Sequence, residues 1–360
     1  MEKHRVSLLR QKNRWGLTAL CIALCVLLSP ALGMSIAMPQ LVFLLPAVLL
    51  LMLAYVGPVS MTVCCGVLVV IGFLLFGAWG AVCVALFVVP VLAVSVLAVD
   101  QDRPFWPSAL AGCVTAFISM CAVAGLLALL AGSDLVTAIG ELTRQAFEAS
   151  GTVGDSMLVM LAQLGAIGTP EGLTFLEESG RVALSEATRS EMLGELILAL
   201  DGMLRLEIPM QMATGSVAAG LLGQTMLRRG LRRRGERVDC PPVRTWRIPK
   251  GWGRILGVTF AALLVMVWLV PAAASSTFYV FAGVLEQILA LQGIATLCYV
   301  LHKNGKGRAM QALVFALGYF AVRPAACVLG VLDQAMDLSH RRRELEPQQE
   351  NKDGGSGWMM

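Results

Sequence analysis

Charge is scarce in this sequence. Only 14% of its 360 residues are Asp, Glu, Lys or Arg, while 57% are hydrophobic. A soluble domain of this size carries far more surface charge, so that class is excluded. Histidine is scarcer still: His4, His302 and His340 stand far apart. The ten cysteines are scattered, with no CxxC pair and no Cys/His cluster. Zinc and iron–sulfur sites are therefore not expected, and the cysteines read as small packing residues. There is no GxxxxGK phosphate loop, HExxH or GxSxG, so neither an enzyme nor a cofactor is expected.

What the chain has instead is long apolar runs. Several reach the ~18–20 residues that a helix needs to cross ~30 Å of hydrocarbon. They do not alternate apolar with polar residues, which favours helices over a lipid-facing barrel. The expectation is an all-α, polytopic helical membrane protein with about eight to nine transmembrane helices. The runs are 15–33, 38–56, 59–76, 79–99, 108–131, 206–227, 255–274, 278–301 and 309–332. Pro39, Pro46 and the Gly57-Pro58 break leave 38–56 and 59–76 kinked or partly re-entrant. The last run either spans or bends at Arg323-Pro324 into a re-entrant pair.

Orientation follows from the segment 228–254. It holds Arg228, Arg229, Arg232, Arg233, Arg234, Arg237, Arg244, Arg247, Lys250 and Arg254, ten of the 28 basic residues, against Glu236 and Asp239. Between two apolar runs, such a loop belongs on the cytoplasmic side. Lys3, Arg5, Arg10, Lys12 and Arg14 place the N-terminus on the same side, ahead of an uncleaved first helix. The expected location is the cytoplasmic membrane of a bacterium. The basic loop can touch anionic headgroups of the bilayer; no nucleic acid is expected.

Residues 132–205 differ in character. From Asp134 to Asp201 there are eleven acids against Arg144, Arg181 and Arg189, about −8 and free of lysine. Leu193, Leu196, Leu200 and Leu204 recur at helical spacing. The segment reads as two or three amphipathic helices, broken near Gly151 to Gly154 and at Gly168-Thr169-Pro170, on the outer face. The expected organisation is thus an N-terminal bundle (1–131), this acidic insert (132–205), a C-terminal bundle (206–344) and a disordered polar tail (345–360). Arg205 and Glu207, at the end of the insert, read as side chains that snorkel to the interface.

Two features stand out inside the spans. Gly215, Ala219 and Gly223 follow at intervals of four, the pattern that lets helices approach closely in lipid. Glu286 lies well inside an apolar run, on a stripe with Gly283, Ala290 and Gly293. An ionisable residue at such depth costs ~2.5–3.5 kcal/mol on insertion scales. Gln287 and Gln292 share its helix, and Arg323 is the evident cation to pair with it. These four read either as a polar substrate-binding pocket or as a pair that only fixes helix register. Asp333 and Asp337 read as a solvated cluster at a helix end.

Trp246-Arg247-Ile248-Pro249, then Leu291-Gln292-Gly293, then Leu329-Gly330 followed by Asp333 and Asp337-Leu338 occur in one order over the C-terminal 120 residues. In these features the chain resembles the YybS-like family of predicted bacterial membrane proteins. More distantly it resembles the substrate-binding S components of energy-coupling-factor transporters. That likeness implies that Ala19 and Ala23, an AxxxA on the first span, contact a transmembrane coupling subunit. It also implies that ATPases are supplied by partner chains. The leading expectation is a small-solute-binding transporter component of unknown ligand. The alternative is a non-transporting membrane scaffold or regulator, holding partners through its basic loop, acidic insert and close-packing glycine face.

Overall fold

The computed structural model describes residues 15–27, 39–168, 175–178, 181–248, 250–269 and 276–336. The expected tail 345–360, Asp337 and the basic N-terminal flank lie outside the described residues. Eleven helices are described: α1 (Trp15–Leu27), α2 (Pro39–Val56), α3 (Pro58–Asp100), α4 (Phe105–Ala131), α5 (Leu135–Ser150), α6 (Thr152–Gln163), α7 (Glu186–Arg233), α8 (Lys250–Leu269), α9 (Ser276–Lys303), α10 (Arg308–Phe320) and α11 (Arg323–Met336). One short antiparallel hairpin, β1 (Phe175–Glu178) and β2 (Arg181–Leu184), pairs Phe175 with Leu184; the sequence pattern does not announce it. A 3-10 turn, Val243–Thr245, precedes α8.

Three of the described helices are long and apolar enough to cross a membrane: α3, α4 and the Val280–Lys303 part of α9. The bent pair α10–α11 makes a fourth if it counts as one span. This is fewer than the eight to nine expected, for local reasons. In α7 the run 206–227 is diluted by Gln211, Thr214, Ser216, Gln224 and Thr225, each lowering its affinity for hydrocarbon. The described apolar stretches at Leu45–Val56 and Ile255–Met266 are short. Conversely, α3 has 43 residues, about 65 Å if straight and twice a hydrocarbon core. It is not straight. Gly77 adopts φ 70°, ψ −162°, a conformation that favours glycine. There the chain folds back, so that a Cβ on Gly80 would lie 2.4 Å from the Gly72 carbonyl oxygen.

The chain forms two compact units: 1–119 with 210–360, and 120–209. In the larger, α1 and α2 pack on α3, and α9 packs with α8, α10 and α11. Glycines set the closest helix contacts. A Cβ on Gly220 of α7 would strike the Cys113 backbone nitrogen of α4 at 2.3 Å. One on Gly223 would meet Leu50 of α2 at 2.8 Å, and one on Gly230 would meet Ala54 at 2.6 Å. Of the expected stripe, Gly223 thus touches α2, Ala219 is fully buried and Gly215 is partly exposed. The tightest crossing made by α7 belongs to its neighbour Gly220.

In the smaller unit, Leu158, Val159, Ala162, Met192, Leu193 and Leu196 form the core, with Leu200 against it. Arg205 is held by Asp201 at 2.8 Å and Asp134 at 3.4 Å, so it does more than snorkel. Asp155 is 1% exposed and takes two Arg189 bonds of 2.6 Å and the Leu184 N–H at 3.1 Å. Burial alone would raise the Asp155 pKa, but these donors outweigh it and hold the carboxyl below its ordinary 3.8. A depressed carboxyl contributes stability above the unfolded value and loses it as pH falls through the folded one. Amide exchange of the β2–α7 junction, corrected for intrinsic rate, should therefore stay protected down to pH 4 and accelerate below it. Asp155→Asn should weaken the protection at pH 7 and remove that acid dependence.

Candidate functional site

The site begins with two glycines. A Cβ on Gly293 of α9 would lie 2.0 Å from the Ala326 carbonyl oxygen of α11. One on Gly330 would lie 1.9 Å from that of Leu289. The two backbones therefore meet without side chains between them, and residues flanking the contact reach across. Their order fixes the direction. Glu286 pairs with Arg323, Gly293 meets Ala326 and Gly330, and Thr296 reaches Asp333, so α11 runs parallel to α9. Between them in sequence, α10 runs antiparallel to α9, with Gln311 beside Cys298 and Gly318 against Ile294. The α10–α11 pair is bent by 106°. It enters beside the end of α9, turns at residues 321–322 near the level of Glu286 and heads back. A pair bent this far is either a broken span or a re-entrant loop.

At the tip, Arg323 Nε donates to Glu286 Oε1 at 3.0 Å, with 25% and 23% of the side chains exposed. Glu286 lies ten residues into α9, about 15 Å along its axis. Next to it Gln287 is only 1% exposed, and neither polar atom of its amide makes a hydrogen bond. The Tyr319 hydroxyl of α10 is the one polar group that addresses this amide among the described residues, and Arg323 also acts on that hydroxyl.

Deeper along the contact lies a second polar node. Asp333, 2% exposed, accepts bonds from Gln292 Nε2 and Thr296 Oγ1, both 2.9 Å. Gln292 Oε1 in turn accepts the Ile248 N–H at 3.1 Å. Asp333 is therefore buried, not part of a solvated cluster. Sequence reasoning missed it, and Thr296 with it. The available signal was spacing: Gln292 and Thr296 are one turn apart, and Asp333 follows Arg323 by the same ten residues that separate Thr296 from Glu286. Gln292 does not meet the Glu286–Arg323 pair; its amide is taken by the Asp333 node.

The segment before α8 is bound to the same region. Trp246 is buried, stacks near Phe105 and Trp106 of α4, and donates Nε1–H to the Pro241 carbonyl. The stretches around Trp246, Gln292 and Asp333 thus converge in space. A family model described as a predicted membrane protein family (DUF2232) matches residues 16–334. The chain belongs to that family. No curated protein and no solved structure matches it.

Ala19 and Ala23 lie on the exposed side of α1, opposite the buried Thr18, Cys21 and Cys25. No group of three or more His, Cys, Asp or Glu side chains able to hold a metal occurs among the described residues. An exchange of charges tests the tip pair. Either Glu286→Arg or Arg323→Glu alone should lower accumulation of the folded protein. The cost is about 3 kcal/mol, the low end for a buried pair because both side chains keep some exposure. The double exchange should restore accumulation to near the parent level.

Proposed function

We propose that this membrane protein binds a small polar solute inside its bundle, where α9, α10 and α11 meet, as a component of a transporter and not as an enzyme. One observation carries the reading. The Gln287 amide is buried, makes no well-formed hydrogen bond and has only the Tyr319 hydroxyl to address it, one residue on from the Glu286–Arg323 pair. An unsatisfied buried amide costs ~1–3 kcal/mol, and a solute that offers it a donor and an acceptor offsets that cost. Re-entrant, broken helices are also where membrane proteins tolerate irregular backbone, because they line a cavity or are covered by protein. Glu286, Gln287 and Arg323 are the residues assigned to the solute. Gln292 supports them through the Asp333 node.

In this reading the protein sits in the cytoplasmic membrane of a bacterium with its N-terminus and the 228–254 loop inside and the acidic unit outside. The shorter apolar helices α1, α2 and α8, the two parts of α3 and the 206–227 part of α7 complete the set of crossings. The exposed Ala19/Ala23 face of α1 is assigned to a coupling subunit, with ATPases as further partners. The competing reading, a scaffold or regulator, draws on the fact that Glu286 and Arg323 already neutralise each other.

Purification in mild detergent decides between them, with mass spectrometry of retained small molecules and co-purifying chains. A near-stoichiometric metabolite that is lost in Gln287→Leu is the expected result. Recovery of envelope or division proteins alone, with no retained metabolite, would establish the scaffold instead.

A further inference from the structure

We infer that the solute is a zwitterion bearing one carboxylate and one ammonium group, as an amino acid does; this rests on the solute-binding reading above. The tip pair uses little of its own capacity. Arg323 carries five N–H donors, and among the described residues only its Nε makes a hydrogen bond. The carboxylate of Glu286 accepts one bond there, on Oε1. The Gln287 amide, one residue on, makes no well-formed hydrogen bond and is addressed only by the Tyr319 hydroxyl among the described residues. Guanidinium N–H groups and a carboxylate oxygen therefore stand together with binding capacity to spare, and an under-used amide follows on the same turn of α9.

Charge balance selects what can fill it. The pair sums to zero. A monoanion drawn to Arg323 would set two negative charges against one cation, and a monocation drawn to Glu286 would do the reverse. Away from bulk water an uncompensated charge is expensive. A zwitterion leaves the sum at zero: its carboxylate takes Arg323 N–H donors and its ammonium takes Glu286. The backbone favours the same orientation. Arg323 is the first residue of α11, so its side chain leaves from the positive end of that helix's dipole. The Gln287 amide then binds either group, and Tyr319 lies next to it.

The test uses the full chain in mild detergent and its thermal unfolding by tryptophan fluorescence. The twenty common L-amino acids are added singly, with propionate and ethylamine as the two halves of alanine. For any amino acid that acts, its own amine and acid halves follow. At least one amino acid should raise the unfolding temperature in a dose-dependent way, while its halves do not. In Arg323→Gln and Gln287→Leu the apparent affinity should fall by roughly tenfold or more. Arg323→Lys, which keeps the charge, guards against a merely misfolded variant and should retain part of the shift. No shift with any amino acid, or an equal shift with an acid or amine alone, overturns the zwitterion. If a metabolite of other chemistry is nevertheless retained on purification, the solute reading survives without this class. If neither appears, both fall.

Discussion

Gly330→Ala should be among the most damaging single substitutions in this chain. The added Cβ would stand 1.9 Å from the Leu289 carbonyl oxygen and 3.0 Å from the Gly293 nitrogen. Both are backbone atoms of a helix, so neither can swing aside as a flexible side chain would. The α9–α11 axes must separate, and the separation reaches everything that bridges them. The Gln292 and Thr296 bonds to Asp333, each 2.9 Å, stretch first, which leaves a carboxylate buried with fewer donors. Forced overpacking costs about 1–3 kcal/mol and an unsatisfied charged group at least as much again. That sum approaches the whole stability of an ordinary domain. The expected result is little monodisperse protein on size-exclusion chromatography in mild detergent. Ser119→Ala, on the opposite side of this comparison, removes one hydroxyl from α4 and should leave the profile unchanged. A Gly330→Ala protein as monodisperse as the parent would mean that α9 and α11 do not cross at Gly293 and Gly330.

The helices and the pairing of Glu286 with Arg323 were legible in the sequence; how the helices meet was not. Periodicity located the apolar runs, and the depth of Glu286 within one of them demanded a partner that only Arg323 could supply nearby. The break at Gly77 separates the same two runs, 59–76 and 79–99, that hydropathy separates. The misreading of Asp333 has a physical cause. Its near neighbours in sequence, Asp337 and Arg341 to Arg343, look like a solvated helix end, and its burial comes from contact with Gln292 and Thr296, about forty residues earlier. The small-residue stripe at Gly215, Ala219 and Gly223 shows the same limit of spacing. The closest approach, however, falls on Gly220, because which edge of a stripe touches its neighbour depends on the crossing and not on the spacing. Hydropathy also counts polar residues such as Gln224 against a span, although in the folded bundle Gln224 is fully buried and held by Arg228.

Arg228→Ala should cost as much as the glycine substitution, by an electrostatic route. Read as one of ten loop cations, Arg228 was expected to serve orientation alone. It is instead 2% exposed and donates to four partners: Gln224 Oε1 at 3.2 Å, the Asp239 carbonyl at 2.9 Å, and the Arg103 carbonyl and Ser108 Oγ at 2.8 Å. Its guanidinium also lies 5.9 Å from the Phe105 ring centroid. Burial lowers its pKa, with Asp239, Cys240 and Asp102 acting against that, and a guanidinium remains charged at any physiological pH. One side chain thus ties the end of α7 to the loop before α4 and to Asp239 within the basic segment. The Asp239 carboxylate completes the tie by accepting the Phe105 N–H at 3.1 Å, at a helix N-terminus where a negative charge is favoured. Alanine would leave two backbone carbonyls without their donor and open a cavity under Phe105. At ~1–3 kcal/mol for each buried group left unsatisfied, the loss is about 3 kcal/mol or more, and the loop 234–248 should become open to protease from its own side of the membrane. Arg229→Ala, one residue on and exposed, removes the same formal charge and should leave both stability and protease resistance near the parent. Equal damage from the two variants would mean that the loop works by its net charge, and that the bonds made by Arg228 contribute little.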